Sequence, residues 1–359
     1  MNLNLNHDVQ LAEVRIESQR FRFVLSFGGG SGTRVFIMNR VLFSMLGVVC
    51  ALLAGCGKPA GEAPTAKAPG GGTAPAAGGR LFAVSFQTMN NPFFVDLNEG
   101  IKKVVEGHGD RLVTLDAQFN SLKQKGDVAD VLQQKPAAIF LNPVNWEGVK
   151  GTLLEAKRLN VPVVVVDAPV SDPELALCQV ASDNVEAGRL ACEALAKVKP
   201  EAKVVIVHYS VNKACIDRVD GFKAVMAKHP GMTTLDVRDA PGTTEAVRPV
   251  MRDMLGRFPN LDAVFPINDP GALGCISAIE SAGRAGQVTV VTVDGSQEGA
   301  RAILAGKMHS TSAQFPKEIG RIAAEKAYDH LAGKPVEKEI KVPVKLITRE
   351  NAAEFLKGN

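Results

Sequence analysis

Amides and carboxylates recur where the short apolar runs of this chain stop. Gln87 follows Leu81 to Phe86, Asn142 follows Ile139-Phe140-Leu141, and Asp167 follows Val163 to Val166. Further along, Asn268 follows Ala263 to Ile267, Asp294 follows Val288 to Val293, and Gln314 follows Met308 to Ala313. Amides donate and accept while carboxylates accept, so together they can answer the hydroxyls of a neutral, hydroxyl-rich ligand such as a sugar or polyol. Asn91, Phe93 and Phe94 share one short segment, and an aromatic ring there can cover the apolar face of a sugar ring. Arg218, near a helix start, carries a planar guanidinium suited to fork two adjacent hydroxyls. Taken singly, an Asn or Asp at such a place also suits a turn or helix cap, the phenylalanines suit a core, and Arg218 suits an ion pair on its own helix. The recurrence of the set at run ends is what points to a site.

The elements that must position these residues are legible as β-branched runs alternating with amphipathic stretches. Strands are expected at 81–86, 112–115, 137–141, 163–166, 177–181, 204–207, 233–237, 263–267 and 288–293, with a further run at 308–313. Helical patterns lie between them at 93–106, 123–133, 146–159, 186–197, 216–227, 245–255 and 272–282. Strand then helix, repeated, predicts an α/β protein whose parallel sheets are covered on both faces. Right-handed crossovers bring every strand's carboxyl end to one edge, where open α/β sheets bind ligands. The roughly 280 residues from Arg80 onward exceed one ordinary core, so two lobes are expected.

Charge is nearly balanced, 41 basic against 38 acidic residues, with no polybasic block and few aromatics, which argues against nucleic acid as a partner. The six histidines show no metal-ligand spacing, and no Gly-x-Ser-x-Gly elbow occurs. Gly28 to Gly32 follow a strand-like run, but the chain continues into Thr33-Arg34 and lacks the Gly-Lys-Ser/Thr end of a phosphate loop. A non-enzyme without cofactor or metal is the reading. Near the start, Met38-Asn39-Arg40 precedes an apolar run from Val41 to Leu53, about as long as a secretory signal core and too short to span a bilayer. The segment 57–79 is rich in Gly, Pro, Ala and Thr and cannot bury enough apolar area to offset its ordering entropy, so it reads as a flexible tether. Cys178, Cys192, Cys215 and Cys275 are left for the folded body, and their even number is compatible with disulfides or with buried thiols.

Several of these segments carry resemblances. Leu53-Ala54-Gly55-Cys56 resembles the bacterial lipobox, which implies a signal peptide over 38–55, lipidation at Cys56 and an upstream extension over 1–37. Asn90-Asn91-Pro92-Phe93-Phe94, Asn142-Pro143, Ala181-Ser182-Asp183-Asn184, Arg218 with Gly221-Phe222, Asn268-Asp269, Val293-Asp294-Gly295 and Ala313-Gln314-Phe315-Pro316 resemble the periplasmic ribose-binding proteins. Those proteins are cousins of the effector domains of lac-repressor-type regulators. The likeness runs from about Leu81 to near the C-terminus. It implies a type I periplasmic binding protein fold, two Rossmann-like lobes with a ligand cleft between them. The expected division is an N-terminal lobe of 80–182 plus 315–340 and a C-terminal lobe of 183–314 plus 341–359. Ligand contacts carried over are Asn91, Phe93, Phe94, Asn142, Asp167, Arg218, Asn268, Asp294 and Gln314.

Three positions depart from the ribose pattern: Gln87 for a serine, Ala168 for a second arginine and Gly242 for an aromatic residue. The changes imply a larger cleft and a ligand other than ribose. Trp146, the only tryptophan, follows Asn142 and Asn145, so it could stack at the rim or pack on its own helix. The expected mechanism is hinge closure around a monosaccharide or polyol. A monomeric, lipid-anchored binder on the periplasmic side would then deliver its ligand to an ABC permease. A sensor role, docking on a membrane receptor, uses the same closed surface. A repressor is excluded, because the segment leading into Arg80 reads as a signal and linker with no helix-turn-helix pattern.

Overall fold

The structure is a computed structural model that describes residues 79–358. The signal segment, Cys56 and the tether up to residue 78 lie outside the described residues. The described chain begins with β1 (Leu81–Phe86), α1 (Pro92–Gly107), β2 (Arg111–Asp116), α2 (Ser121–Leu132), β3 (Ala138–Leu141), α3 (Lys150–Arg158), β4 (Val163–Val166) and β5 (Cys178–Ser182). It continues with α4 (Asn184–Val198), β6 (Lys203–His208), α5 (Lys213–Met226), β7 (Thr233–Asp239), α6 (Thr244–Arg257), β8 (Ala263–Pro266), α7 (Asp269–Ser281), β9 (Thr289–Asp294), α8 (Gln297–Leu304) and β10 (Ser310–Ala313). The last elements are α9 (Pro316–Leu331), β11 (Glu339–Val342), β12 (Lys345–Ile347) and α10 (Ala352–Gly358).

Two six-stranded sheets result, ordered β11-β5-β4-β3-β1-β2 and β12-β10-β9-β8-β6-β7. The five strands β2-β1-β3-β4-β5 of one sheet repeat the order of β7-β6-β8-β9-β10 in the other, and all of them pair in parallel. Parallel strands buried on both faces need continuous apolar runs, and β4 is four consecutive valines, all buried. Each sheet carries two apolar cores, one per face. In the first lobe, Phe82, Val84, Phe86 and Phe140 pack beneath α1 and α9, while Ile139, Leu141 and Val165 face Val128 and Leu153 of α2 and α3.

The chain crosses between lobes three times, at Ser182 to Asn184, at Ala313 to Pro316 and at Val342 to Lys345. The last crossing corrects the boundary expected at residue 340, because β11 pairs with β5 of the first sheet through Val342 and β12 pairs with β10 of the second. These two short strands carry alternating, half-exposed residues and escaped the search for apolar runs. Helix α3 begins at Lys150, so Trp146 lies in the turn before it and not on a helix. The four cysteines are buried thiols, none paired with another, and burial pushes Cys178 up to about 11 and Cys215 up to about 12.

Each lobe joins its first helix to a second one through facing glycines, Gly100 and Gly320 between α1 and α9, Gly188 and Gly221 between α4 and α5. A Cβ at Gly188 would overlap the carbonyl of Arg218, so the close approach of α4 and α5 requires glycine there. Gly188→Ala is expected to cost about 1–3 kcal/mol by overpacking, read from denaturant unfolding. An unchanged midpoint would show that α5 can shift away freely.

Candidate functional site

The carboxyl ends of both sheets face one cavity of about 840 Å³, inside the range of roughly 300–1,000 Å³ for small-ligand sites. Of the ten residues expected at a ligand, nine line it: Gln87, Asn91, Phe93, Phe94, Asp167, Arg218, Asn268, Asp294 and Gln314. The tenth, Asn142, is wholly buried behind them and is absent from the lining. Its Nδ2 donates to Asp167 Oδ2 at 3.0 Å, and its Oδ1 accepts from the backbone N–H of Gln87 at 3.1 Å. Asn142 therefore holds two lining residues in register from behind. Gln124 of α2 supports it in turn, donating to its carbonyl at 2.8 Å.

Asn91 and Asn268 prove to be caps as well as lining residues. Asn91 Oδ1 accepts from the N–H of Phe93 at the start of α1, and Asn268 Oδ1 accepts from Gly271 at the start of α7, each at 3.0 Å. The remaining amide nitrogen of Asn268 donates to the carbonyl of Gly242 at 2.8 Å. A Cβ at residue 242 would lie 2.6 Å from that nitrogen, so glycine at 242 and the orientation of Asn268 go together. Ala168 is fully buried and outside the lining. Phe94 packs on Phe86 with ring centres 5.7 Å apart, and Phe93 meets Phe94 edge-on at 5.3 Å.

Charge is concentrated on the cavity's inner wall. Arg218 is 4% exposed, and its Nη1 donates to the carbonyl of Ile267 at 2.8 Å and lies 3.6 Å from Asp294 Oδ1. Asp294 also accepts from Gln314 Nε2 at 2.8 Å. Behind it, Asp269 is completely buried and accepts from Thr311 Oγ1, Ser296 Oγ and the Ser296 N–H. Burial raises both Asp269 and Asp294 above the ordinary carboxylate range, and the negative charge of Asp294 raises Asp269 further. Asp167 is pushed up to about 7 by burial, with Arg218 and Asn142 opposing the shift and Asp294 adding to it. Two of the lining carboxylates sit at positive φ, Asp167 at 66° and Asp294 at 139°, where a residue other than glycine is strained. Two buried acceptors, Gln87 Oε1 and Gln314 Oε1, have no hydrogen-bond partner among the described residues. Buried polar atoms left in that state at a cavity wall are ready to take a ligand's donors.

Other participants were not foreseen from the sequence. Phe119 of the first lobe and Tyr209 of the second both line the cavity and meet edge-on at 6.4 Å. Tyr209 follows the apolar run of β6 and obeys the rule that found the others. Phe119 has φ of 57° in a loop whose sequence gives no cue to it. Trp146 is outside the lining, but its backbone N–H donates to the carbonyl of Val211 at 3.1 Å and so joins the two lobes.

Two parallel-sheet lobes of like strand order, enclosing a polar cleft with residues from both, define a two-lobed binding protein. The chain belongs to the periplasmic binding protein domain family, which residues 82–335 match. It is 35% identical over 269 residues to the ribose import binding protein of Bacillus subtilis (strain 168), covering 74% of this chain and 87% of that protein. Identity to the Escherichia coli (strain K12) ribose import binding protein is 32% over 272 residues, covering 75% and 90%. The solved structure of the Caulobacter myo-inositol binding protein bound to myo-inositol superposes with a TM-score of 0.74 at 26% identity, covering 80% of this chain and 100% of that one.

The raised Asp167 carboxyl makes stability depend on pH in a defined direction. Its folded value, about 7, lies above the ordinary 3.8, so the folded state holds the extra proton between those values and stability falls as pH rises through that window. Above it the full cost of a buried charge is present. Asp167→Asn is expected to raise the melting temperature of the ligand-free protein more at pH 8 than at pH 5. Equal shifts at the two values would mean that Asp167 titrates as an ordinary carboxylate.

Proposed function

We propose that this chain is a monomeric solute-binding protein that captures a monosaccharide or polyol by hinge closure and hands it to an ABC importer. The observation that carries the reading is the single cavity into which both lobes send acceptors, Gln87 and Asp167 from one side, Asp294 from the other, with Gln314 at a crossing between them. A ligand with many hydroxyls satisfies these groups only when the lobes are together, so its binding energy favours the closed form. The 35% identity to a ribose import binding protein supports the sugar class, and the likeness to a myo-inositol binding protein keeps polyols within it. Gln87 and Gly242 alter the wall relative to the ribose pattern, and Ala168, behind it, brings no guanidinium where that pattern has a second arginine, so a ligand other than ribose is the reading. The groups assigned to direct contact are Gln87, Asn91, Phe93, Phe94, Asp167, Arg218, Asn268, Asp294 and Gln314, with Asn142 acting through Asp167.

The same proposal places the protein on the periplasmic face of a bacterial membrane, held by lipid on Cys56. The support for the anchor is the lipobox-like Leu53-Ala54-Gly55-Cys56; no described helix is long and apolar enough to cross a membrane. Cys56→Ala is expected to move the protein from the membrane fraction to the soluble one. Retention in the membrane would remove the lipid anchor from the proposal.

Pentoses, hexoses, xylitol and myo-inositol form the panel that tests the ligand class. A ligand at a hundred times its Kd adds about 2.7 kcal/mol of stability, a rise easily seen in a melt. Binding should also alter Trp146 fluorescence, because its backbone bridges the lobes. Asp167→Ala and Arg218→Ala each remove charge-assisted bonds of roughly 1.5–3 kcal/mol and should weaken binding accordingly. A panel without any shift in melting or fluorescence would overturn the sugar and polyol assignment.

A further inference from the structure

Arg218 has more N–H donors than the protein itself uses. Its Nε donates to Asn184 Oδ1 at 2.8 Å and its Nη1 to Ile267, while Nη2 makes no hydrogen bond among the described residues. A guanidinium is planar, so fixing Nε and Nη1 fixes where Nη2 points. Asn184 is thus one of two handles that aim the free edge of Arg218 along the cavity wall.

Asn184 is itself tied to the interlobe crossings. It opens α4, two residues after the last residue of β5, and its Nδ2 donates to the carbonyl of Ser182 at 3.1 Å. Beside it, the N–H of Asp183 donates to the carbonyl of Val342 at the third crossing, 3.0 Å away. One turn on, the carbonyl of Ala187 accepts from Ser312 Oγ at 2.8 Å, next to the second crossing. The first crossing and the first turn of α4 are therefore bonded directly to the third crossing, through Asp183, and to the strand that leads into the second, through Ser312 of β10. A change of backbone angles at Ser182 and Asp183 shifts the Asn184 amide and rotates the guanidinium plane with it.

We propose that Asn184 is a positioning residue that transmits the conformation of the lobe crossings to Arg218, aiming its free Nη2 edge at the ligand when the lobes close. Asn184 is buried and outside the cavity lining, so it acts through Arg218 and not by touching ligand. The inference rests on the ligand-binding reading of the cleft, yet its first test needs no ligand.

The Arg218 Nε–H resonance, assigned by comparison with an Arg218→Lys spectrum, should exchange slowly with solvent in the wild-type protein. Asn184→Ala should lose that protection, while Asn184→Asp, which keeps an acceptor in place, should retain it. Ser312→Ala removes a neighbouring bond to the same turn without touching Arg218, and it should leave the resonance protected. With the best ligand of the panel, Asn184→Ala should weaken binding about tenfold, as expected for one bond to a charged group, and Asn184→Asp should bind near wild-type. Should Asn184→Ala fail to fold, Asn184→Ser, whose hydroxyl falls short of Nε, replaces it. Protection and affinity unchanged in the shortened variant would overturn the proposal, as would equal losses in Ser312→Ala. If nothing in the panel binds the wild-type protein, the ligand reading fails, while the resonance still decides whether Asn184 holds Arg218.

Discussion

A buried guanidinium facing buried carboxylates is the constraint on which this structure turns. Removing such charges from water costs several kcal/mol per ion unless each is paired and hydrogen-bonded. Arg218 meets that demand with Asn184, Ile267 and Asp294, and Asp294 meets it with Arg218, Gln314 and the N–H of Asp269. Those partners come from α4, the ends of β8 and β9, the second crossing and α7, so the pairing can exist only after the second lobe is assembled. Removing a partner would leave a buried charge less compensated, which is destabilising.

The carboxylates stand in strained backbone, which the surrounding sheets hold in place. Asp167 and Asp294 occupy equivalent places, at the carboxyl ends of β4 and β9, and both have positive φ. Strain of this kind costs on the order of 1–3 kcal/mol per residue and persists only where neighbouring structure over-determines it. Here the neighbours are parallel strands locked by apolar cores on both faces. The repeated strand order gives each lobe one such carboxylate at the cavity. Asn184 and Gln314 stand at the first and second crossings, hydrogen-bonded to Arg218 and Asp294.

The parallel sheets were legible because strands covered on both faces must be apolar throughout, and runs such as Val163 to Val166 show it directly. Site residues were legible for a related reason: parallel strands end at one edge, so the polar residue after each run falls beside the others. Asn91 and Asn268 illustrate the overlap between local and functional roles, since one carbonyl oxygen caps a helix while the side chain lines the cavity. Phe119 was missed because its left-handed backbone has no glycine or asparagine to announce it. Strands β11 and β12 were missed because edge strands with one exposed face have no continuous apolar run.

By itself, the amino-acid sequence determined the α/β class, the two-lobed size and which polar residues come to line one cavity, since these follow from local periodicity and from what stands at run ends. It also carries Leu53-Ala54-Gly55-Cys56, whose resemblance to the lipobox is read from residue order alone. Only the tertiary structure decided that Asn142 supports Asp167 from behind, that Asn184 holds Arg218, that the cysteines stay apart as thiols, and that the third crossing falls after Val342. These are matters of distance between residues far apart in the chain, 34 positions for Asn184 and Arg218 and many more for the pairing of Val342 with Ser182, and no spacing rule along a sequence encodes them.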